Sequence, residues 1–212
     1  MEEQIINMPA VALRGLTILP GMIAHFDVSR ERSLRAIEEA MEQDQRIYLV
    51  TQSNVDREDP TQEDLYRMGI VADIKQVVRL QNDVVRILVD GISRAKLLGF
   101  TGRKKYLEAE ICYCDSNADS LPEDLKEAML LGVREAFHRY AAVIGKISKE
   151  LIRQIDQYED LEKLIDYVTN NLPVSYELKQ QVLEAEDIND RYQVIVSLLL
   201  SQVEVISIKN EL

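Results

Sequence analysis

The side chains best suited to chemistry are two histidines and several carboxylates, and none has the partners that catalysis needs. His25 lies in a strand-like segment without an obvious acid–base partner, and His138 lies in a helical pattern between Phe137 and Arg139. A catalytic histidine needs a nucleophile or substrate on one side and an orienting group on the other. Acidic pairs such as Glu38-Glu39 lie on solvated faces. We therefore predict no catalytic residue in this chain.

The two cysteines, Cys112 and Cys114, alternate along a strand-like segment and should share one face of it. That placement is too close for an easy disulfide. The two histidines are far off in sequence, so a four-ligand zinc site is not expected and we predict no metal. Reduced strand cysteines fit a reducing compartment, and no basic-flanked apolar segment opens the sequence. We expect a cytoplasmic protein.

Phosphate and nucleic-acid chemistry are also weakly supported. The segment from Gly99 to Lys104 lacks the glycine spacing and the hydroxyl of a phosphate-binding loop, so no cofactor is predicted. Three basic residues at 103–105 stand in a chain of net charge −12, which makes nucleic acid an unlikely partner. The sequence contains no run of about 18 uncharged apolar residues, so we predict no membrane span.

One apolar turn stands out as a binding element. Turn tips normally face water, yet the tip around Pro20-Gly21 carries large apolar side chains. If exposed, they would offer adaptable contacts to a polypeptide. If the turn folds back, they would join the core instead. The candidate polypeptide-binding residues are Leu19, Pro20, Met22 and Ile23.

The elements that position this turn are predicted by hydrophobic period. Up to about residue 118 apolar residues alternate, which predicts strands, with one helix after a cap at Ser29. The segment Gly69 to Gly91 predicts a hairpin around Asn82-Asp83, whose loop length stays open by a residue or two. The other predicted strands are Pro9 to Leu13, Ala24 to Val28, Arg46 to Gln52 and Leu107 to Cys114.

The second part of the chain changes to helical spacing. A capping box at Ser120 predicts a helix that runs to Gly145, and shorter helical patterns follow. The last helix opens near Asp187 and repeats apolar residues in a coiled-coil-like seam. No stop signal follows it, so the terminus lies inside a longer helix or the helix frays there.

A series of short motifs in a fixed order resembles the amino-terminal region of Lon-type ATP-dependent proteases over nearly the whole chain. The motifs are Pro9-x-x-x-Leu13-Arg14-Gly15, Leu19-Pro20-Gly21-Met22, Arg30-x-x-Ser33-x-x-Ala36, Leu49-Val50-Thr51-Gln52, Asp64-Leu65-Tyr66-x-x-Gly69, Leu88-Val89-x-Gly91-x-x-Arg94, Leu172-Pro173, Lys179-Gln180-x-Val182-Leu183-Glu184 and Asp187-x-x-x-Arg191. Gly15 departs from a frequent acidic residue, and the hairpin turn lacks the family's frequent Pro and Gly. These departures concern loop geometry.

The resemblance implies an α+β chain in two parts. A β-rich, PUA-like pseudo-barrel with one helix is expected over residues 1–118, and an all-helical bundle ending in a long helix is expected over 119–212. In that family this region recognises unfolded or degron-bearing proteins and helps a hexamer assemble. The ATPase, with ATP and magnesium, and the serine peptidase would lie beyond this segment.

The sequence leaves other functional classes open. A stand-alone adaptor that shares this domain and pairs its last helix with a partner helix fits the same residues. An independent enzyme is the third alternative, because no catalytic set is recognisable in the sequence.

Overall fold

The computed structural model describes residues 3–212, which form two compact units, one up to Cys114 and the other Asp115–Leu212. The division falls after Cys114, whereas the change of hydrophobic period placed it after residue 118. The reason is local: the carbonyl of Ser116 accepts a 2.8 Å hydrogen bond from the backbone N–H of Ile188, so the segment after Cys114 is held to the helical unit.

The first unit is a mixed six-stranded sheet with one helix. Its elements are β1 (Ile6–Leu13), β2 (Ile23–Val28), α1 (Glu31–Glu42), β3 (Arg46–Thr51), β4 (Met68–Arg79), β5 (Val85–Phe100) and β6 (Glu108–Tyr113). The strand order is β2-β5-β4-β3-β1-β6, and a further β5–β6 pairing closes the sheet. β1 and β3 are parallel, and the other pairs are antiparallel.

β3 shows why the sequence forms a sheet buried on both faces. Its residues from Ile47 to Thr51 are all buried, so alternation directs them into two separate clusters. Ile47 and Leu49 pack with the apolar face of α1, while Tyr48 and Val50 pack toward β6. The Tyr48 hydroxyl donates a 2.9 Å hydrogen bond to the carbonyl of Ala95, which satisfies its only buried polar atom.

The predicted hairpin is confirmed and its turn is the short form. Asn82 and Asp83 both have positive φ, 60° and 58°, and the Val84 N–H bonds the Gln81 carbonyl. Two central residues with positive φ are the signature of a type I′ turn. The second strand of the hairpin is longer than predicted, since β5 continues to Phe100 and pairs β2 with its first half and β6 with its second.

Two predicted helix caps are wrong. The cap of α1 is Arg30 rather than Ser29, and it makes no side-chain capping bond. The first long helix of the second unit begins at Glu123 with Pro122 as its cap. The Ser120 hydroxyl instead donates 2.7 Å to the carbonyl of Asn117 in a short 3₁₀ turn, so it is not available to cap.

The second unit is a helical bundle, as predicted. Its helices are α2 (Glu123–Ile144), α3 (Lys149–Gln157), α4 (Leu161–Asn170), α5 (Tyr176–Glu184) and α6 (Ile188–Glu211). α2 ends at Gly145 with φ +67°, the conformation that glycine favours at a helix end. The α+β fold with a long final helix is therefore confirmed.

α6 begins at Ile188, next to the predicted start near Asp187, and the Asp187 carboxylate caps it by accepting a hydrogen bond from the N–H of Asn189. α6 packs on α2, and its first half contains buried residues such as Ile195 and Leu199. By length and composition alone α6 could cross a membrane, which the sequence did not predict. Of the apolar window in this helix, 17% is buried inside the described structure.

Candidate functional site

The apolar turn between β1 and β2 is fixed by local hydrogen bonds and by a glycine in β5. The Met22 N–H bonds the Leu19 carbonyl at 3.1 Å, and Gly21 has φ +79°. Pro followed by a positive-φ Gly is the pattern of a type II turn. The backbone of Gly91 exchanges bonds with Gly21 and Met22, at 2.8 and 2.9 Å. A Cβ on Gly91 would lie 2.4 Å from the Leu19 carbonyl oxygen, so only glycine lets the turn approach β5.

This anchoring separates the four predicted binding residues. Leu19 is fully buried, with 0% of its surface exposed, so it is an anchor of the turn and cannot contact a ligand in this structure. Pro20 and Met22 are half-buried. Ile23 is 68% exposed at the start of β2. Both alternatives predicted for the turn therefore hold in part. One side of the turn joins the core and the other side is exposed.

Two further apolar residues lie on the same outward face, and sequence reasoning missed both. In the antiparallel register Ile23 pairs with Asp90, so Leu88 and Ile92 are its diagonal neighbours on β5. Ile92 is 38% exposed and Leu88 is half-buried. The sequence did contain a sign of them, because both alternate with the core residues of the second hairpin strand and so point to its opposite face. We call Pro20, Met22, Ile23, Leu88 and Ile92 the turn surface. Met22 contributes only its exposed part, because its other side packs against the core of the sheet unit.

The opposite end of this face is polar. Arg86 donates two hydrogen bonds to the Asp27 carboxylate, at 2.7 and 3.1 Å. These bonds hold the pKa of Asp27 below its ordinary value, and they raise that of Arg86. His25 is exposed between the ion pair and Ile23. The face therefore has its apolar residues near the turn, around the half-buried Asp90 that pairs with Ile23, and its ion pair at the end of β2.

The side chains considered for chemistry are dispersed. His138 Nε2 lies 2.7 Å from Asp156 Oδ1 on exposed surfaces of α2 and α3. Cys112 is buried on β6, and the half-buried Cys114 follows just after that strand. Over residues 3–212 no three histidine, cysteine or acidic side chains come close enough to hold a metal ion. The turn surface is the feature of the described chain that best fits binding.

Two solved structures share this fold. The N-terminal domain of a Mycobacterium avium complex Lon protease has a TM-score of 0.73 at 19% identity, over 92% of this chain and 98% of that one. A Lon N-terminal domain protein from Xanthomonas campestris has a TM-score of 0.60 at 14% identity, over 91% and 98%. At these identities the likeness establishes the fold class of Lon N-terminal domains.

The sequence comparisons define the family. Residues 7–201 match the family model of the ATP-dependent protease La (LON) substrate-binding domain, and this chain belongs to that family. The Lon protease of Lachnoclostridium phytofermentans is 37% identical over 212 residues, and that of Clostridioides difficile is 34% identical over 209. The chain covers 100% and 97% of its own length in these matches, but only 26% and 27% of the relatives' length.

Proposed function

We propose that this chain is the substrate-recognition region of an ATP-dependent Lon protease and that it binds unfolded or degron-bearing polypeptide through the turn surface. The proposal rests on the exposure of Ile23, 68% of whose surface is accessible near Ile92 of β5. The turn that leads into Ile23 is anchored by Leu19 and Gly91. A fixed backbone that presents apolar side chains loses little entropy when a ligand covers them.

The chemistry of the turn surface suits many clients. Methionine, proline and isoleucine make weakly directional contacts, so they accept different apolar sequences with similar affinity. The net charge of −12 adds a modest preference for basic clients. Each contact is small, so we expect weak binding to a single copy.

The activity of the whole protein is part of the same proposal. We expect the full-length protein to be a cytoplasmic, homohexameric serine endopeptidase that uses ATP and magnesium and supports protein quality control. In a hexamer, several weak sites act on one client, and the effective concentration raises the overall affinity. The relatives' names, Lon protease, support this expectation.

A pair of matched variants tests the proposed surface. Ile23→Ser should weaken binding of a reduced, carboxymethylated unfolded protein about fivefold, since roughly 1 kcal/mol of apolar contact is lost when part of one isoleucine is no longer covered. Ile5→Ser is the control, because Ile5 is 60% exposed in the same unit but lies outside the turn surface. Fluorescence anisotropy of the labelled client gives both affinities. Equal affinities for the two variants would contradict the proposed site.

A further inference from the structure

β2 leaves one backbone edge open. The sheet pairs β2 only with β5, and the Met22 carbonyl points toward β5, where it accepts from the Gly91 N–H at 2.9 Å. Backbone groups alternate in direction along a strand, so those of Ile23, His25 and Asp27 point the other way. Within residues 3–212 these groups bond no further strand. Three residues of open edge are therefore available to an extended chain.

A groove of about 710 Å³ begins at this edge. Its other wall is β1, where Ala12 has its backbone turned away from β3, as shown by the 2.8 Å bond from Arg30 Nη2 to the Ala12 carbonyl. Apolar residues of both strands, such as Leu13 and Phe26, line it. A peptide on β2 could thus place alternate side chains in the groove.

Arg14, Arg30 and Arg32 bring positive charge to the groove, and none of them forms an ion pair within the described residues, although the Asp59 carboxylate attracts Arg30 electrostatically. Arg30 bonds only neutral acceptors, the carbonyls of Ala12 and Glu58 and the Gln52 amide oxygen, at 2.8 to 3.1 Å. Arg14 likewise bonds Gln52 and the Arg57 carbonyl. Burial, and then the charge of Arg14, lower the pKa of Arg30.

The acidic residues of the groove do not cancel this charge. Arg32 also lines the groove, and it forms no ion pair with any residue of the described chain. The carboxylates of Asp27 and Glu31 are paired with Arg86 and Arg35. Glu58 and Asp59 are the two remaining carboxylates of the groove, and their two negative charges are fewer than the three positive charges of its arginines. An acidic group on a ligand would therefore complement the groove.

We propose that an extended segment of a client polypeptide adds to the open edge of β2 as an extra strand and points an acidic side chain at Arg14, Arg30 and Arg32. Main-chain bonds give such a site affinity that is independent of sequence, and the pocket adds selectivity. This inference rests on the proposed function, since the client is the same unfolded polypeptide. The groove selects one acidic side chain locally, whereas the net charge of −12 acts on the charge of the client as a whole. The turn surface and the open edge meet at Ile23, so one chain can occupy both.

A variant pair tests the main-chain contact. His25→Pro removes the outward N–H of His25 without removing a bond to β5, because only inward groups pair there. His25→Ala keeps the N–H. The probe is the acetylated and amidated peptide Thr-Val-Thr-Val-Glu-Val-Thr, titrated by NMR against the full chain. We expect His25→Pro to weaken binding at least about fivefold relative to His25→Ala, the loss of one hydrogen bond plus the steric block of the ring.

Measurements on the unmodified chain keep the test independent of variant folding. Peptide binding should slow amide exchange at Ile23, His25 and Asp27, whereas Ala24 and Phe26, already paired with β5, should change little. A peptide N-methylated at its three valines and its glutamate should not bind. Unchanged exchange at the three outward amides, or equal binding of the N-methylated peptide, would overturn the proposal.

A second pair of variants tests the acidic preference. Replacing glutamate by glutamine in the peptide should weaken binding about threefold for the wild-type chain and much less for Arg32→Gln. Arg79→Gln is the control in the same unit, because Arg79 is exposed, does not line the groove and neutralises none of its carboxylates. Equal effects of the peptide change in both variants would contradict the charge assignment.

The remaining outcomes separate this inference from the proposed function. If unfolded protein binds and requires Ile23, but the peptide binds His25→Pro as tightly as His25→Ala, only the edge inference fails. If the wild-type chain binds no unfolded protein, the proposed function fails first. If sedimentation shows dimers that His25→Pro dissociates, the edge pairs with a second copy, and the client assignment is overturned.

Discussion

At the residue scale, Gly91 decides which side chains of the apolar turn reach solvent. Leu19 is buried because its carbonyl packs against a backbone without a Cβ, and Ile23 is exposed because the turn then enters β2 at its outer face. The turn itself follows from Pro20 and Gly21, so its presence was predictable. The burial of Leu19 was not, because it depends on a contact with a glycine far along the chain.

Gly91→Ala tests this role of the glycine. Its new Cβ would lie 2.4 Å from the Leu19 carbonyl oxygen and 2.8 Å from Ile70 Cδ1, inside a packed core. We expect a loss of about 2–4 kcal/mol in the free energy of unfolding, from overpacking and displacement of the turn. Urea denaturation gives this value.

Gly99→Ala is the matched control for that measurement. Gly99 lies on the same strand, and a Cβ there would have its nearest neighbour at 3.7 Å. We expect the free energy of unfolding to change by less than about 1 kcal/mol. If the two variants were equally stable, the close approach of the turn to Gly91 would be wrong.

At the element scale, the period of the hydrophobic pattern predicted the strands and helices, but not every end. The start of α6 near Asp187 was predicted because the helical apolar repeat begins at Ile188. Ser120 was misassigned, since its hydroxyl bonds the Asn117 carbonyl instead of a helix N–H. The outward side of β5 was missed because its place beside Ile23 depends on the β2–β5 register, in which Ile23 pairs with Asp90.

The cap of α6 gives a pH-dependent prediction. The hydrogen bond from the Asn189 backbone, and then that from the Asn117 side chain, lower the pKa of Asp187 below 3.8. The folded state therefore favours the charged carboxylate. Its stabilisation is complete above about pH 3.8, the ordinary value, and is lost as the pH falls through the lowered pKa.

Asp187→Ala should therefore be less stable than wild type at pH 7, and the difference should shrink as the pH is lowered below 3.8. Urea unfolding followed by circular dichroism at several pH values measures this. Glu204→Ala, on the exposed side of the same helix, should show a small difference at every pH. A difference for Asp187→Ala that grows on acidification would contradict the capping role.

At the scale of the whole molecule, the chain consists of two units, and the sheet unit carries the proposed binding surface. The described residues do not assemble a catalytic group. The sheet unit offers an anchored apolar turn beside an open strand edge, and both can accept a disordered chain. The family was recognisable from short motifs in order along the sequence. The groove was not, because Arg14 and Arg30 meet there only after β1, β2 and α1 have folded together.

A titration of the methyl-labelled chain with a reduced, carboxymethylated unfolded protein is the most direct test of the central claim. We expect concentration-dependent NMR shifts at the methyl groups of Met22, Ile23, Leu88 and Ile92. The methyl signals of Ile5 and Ile208 should stay unchanged. Ile5 and Ile208 are both 60% exposed, so exposure alone would move them as much. Shifts confined to Ile5 and Ile208, or no shift at the turn surface at millimolar concentration, would contradict it.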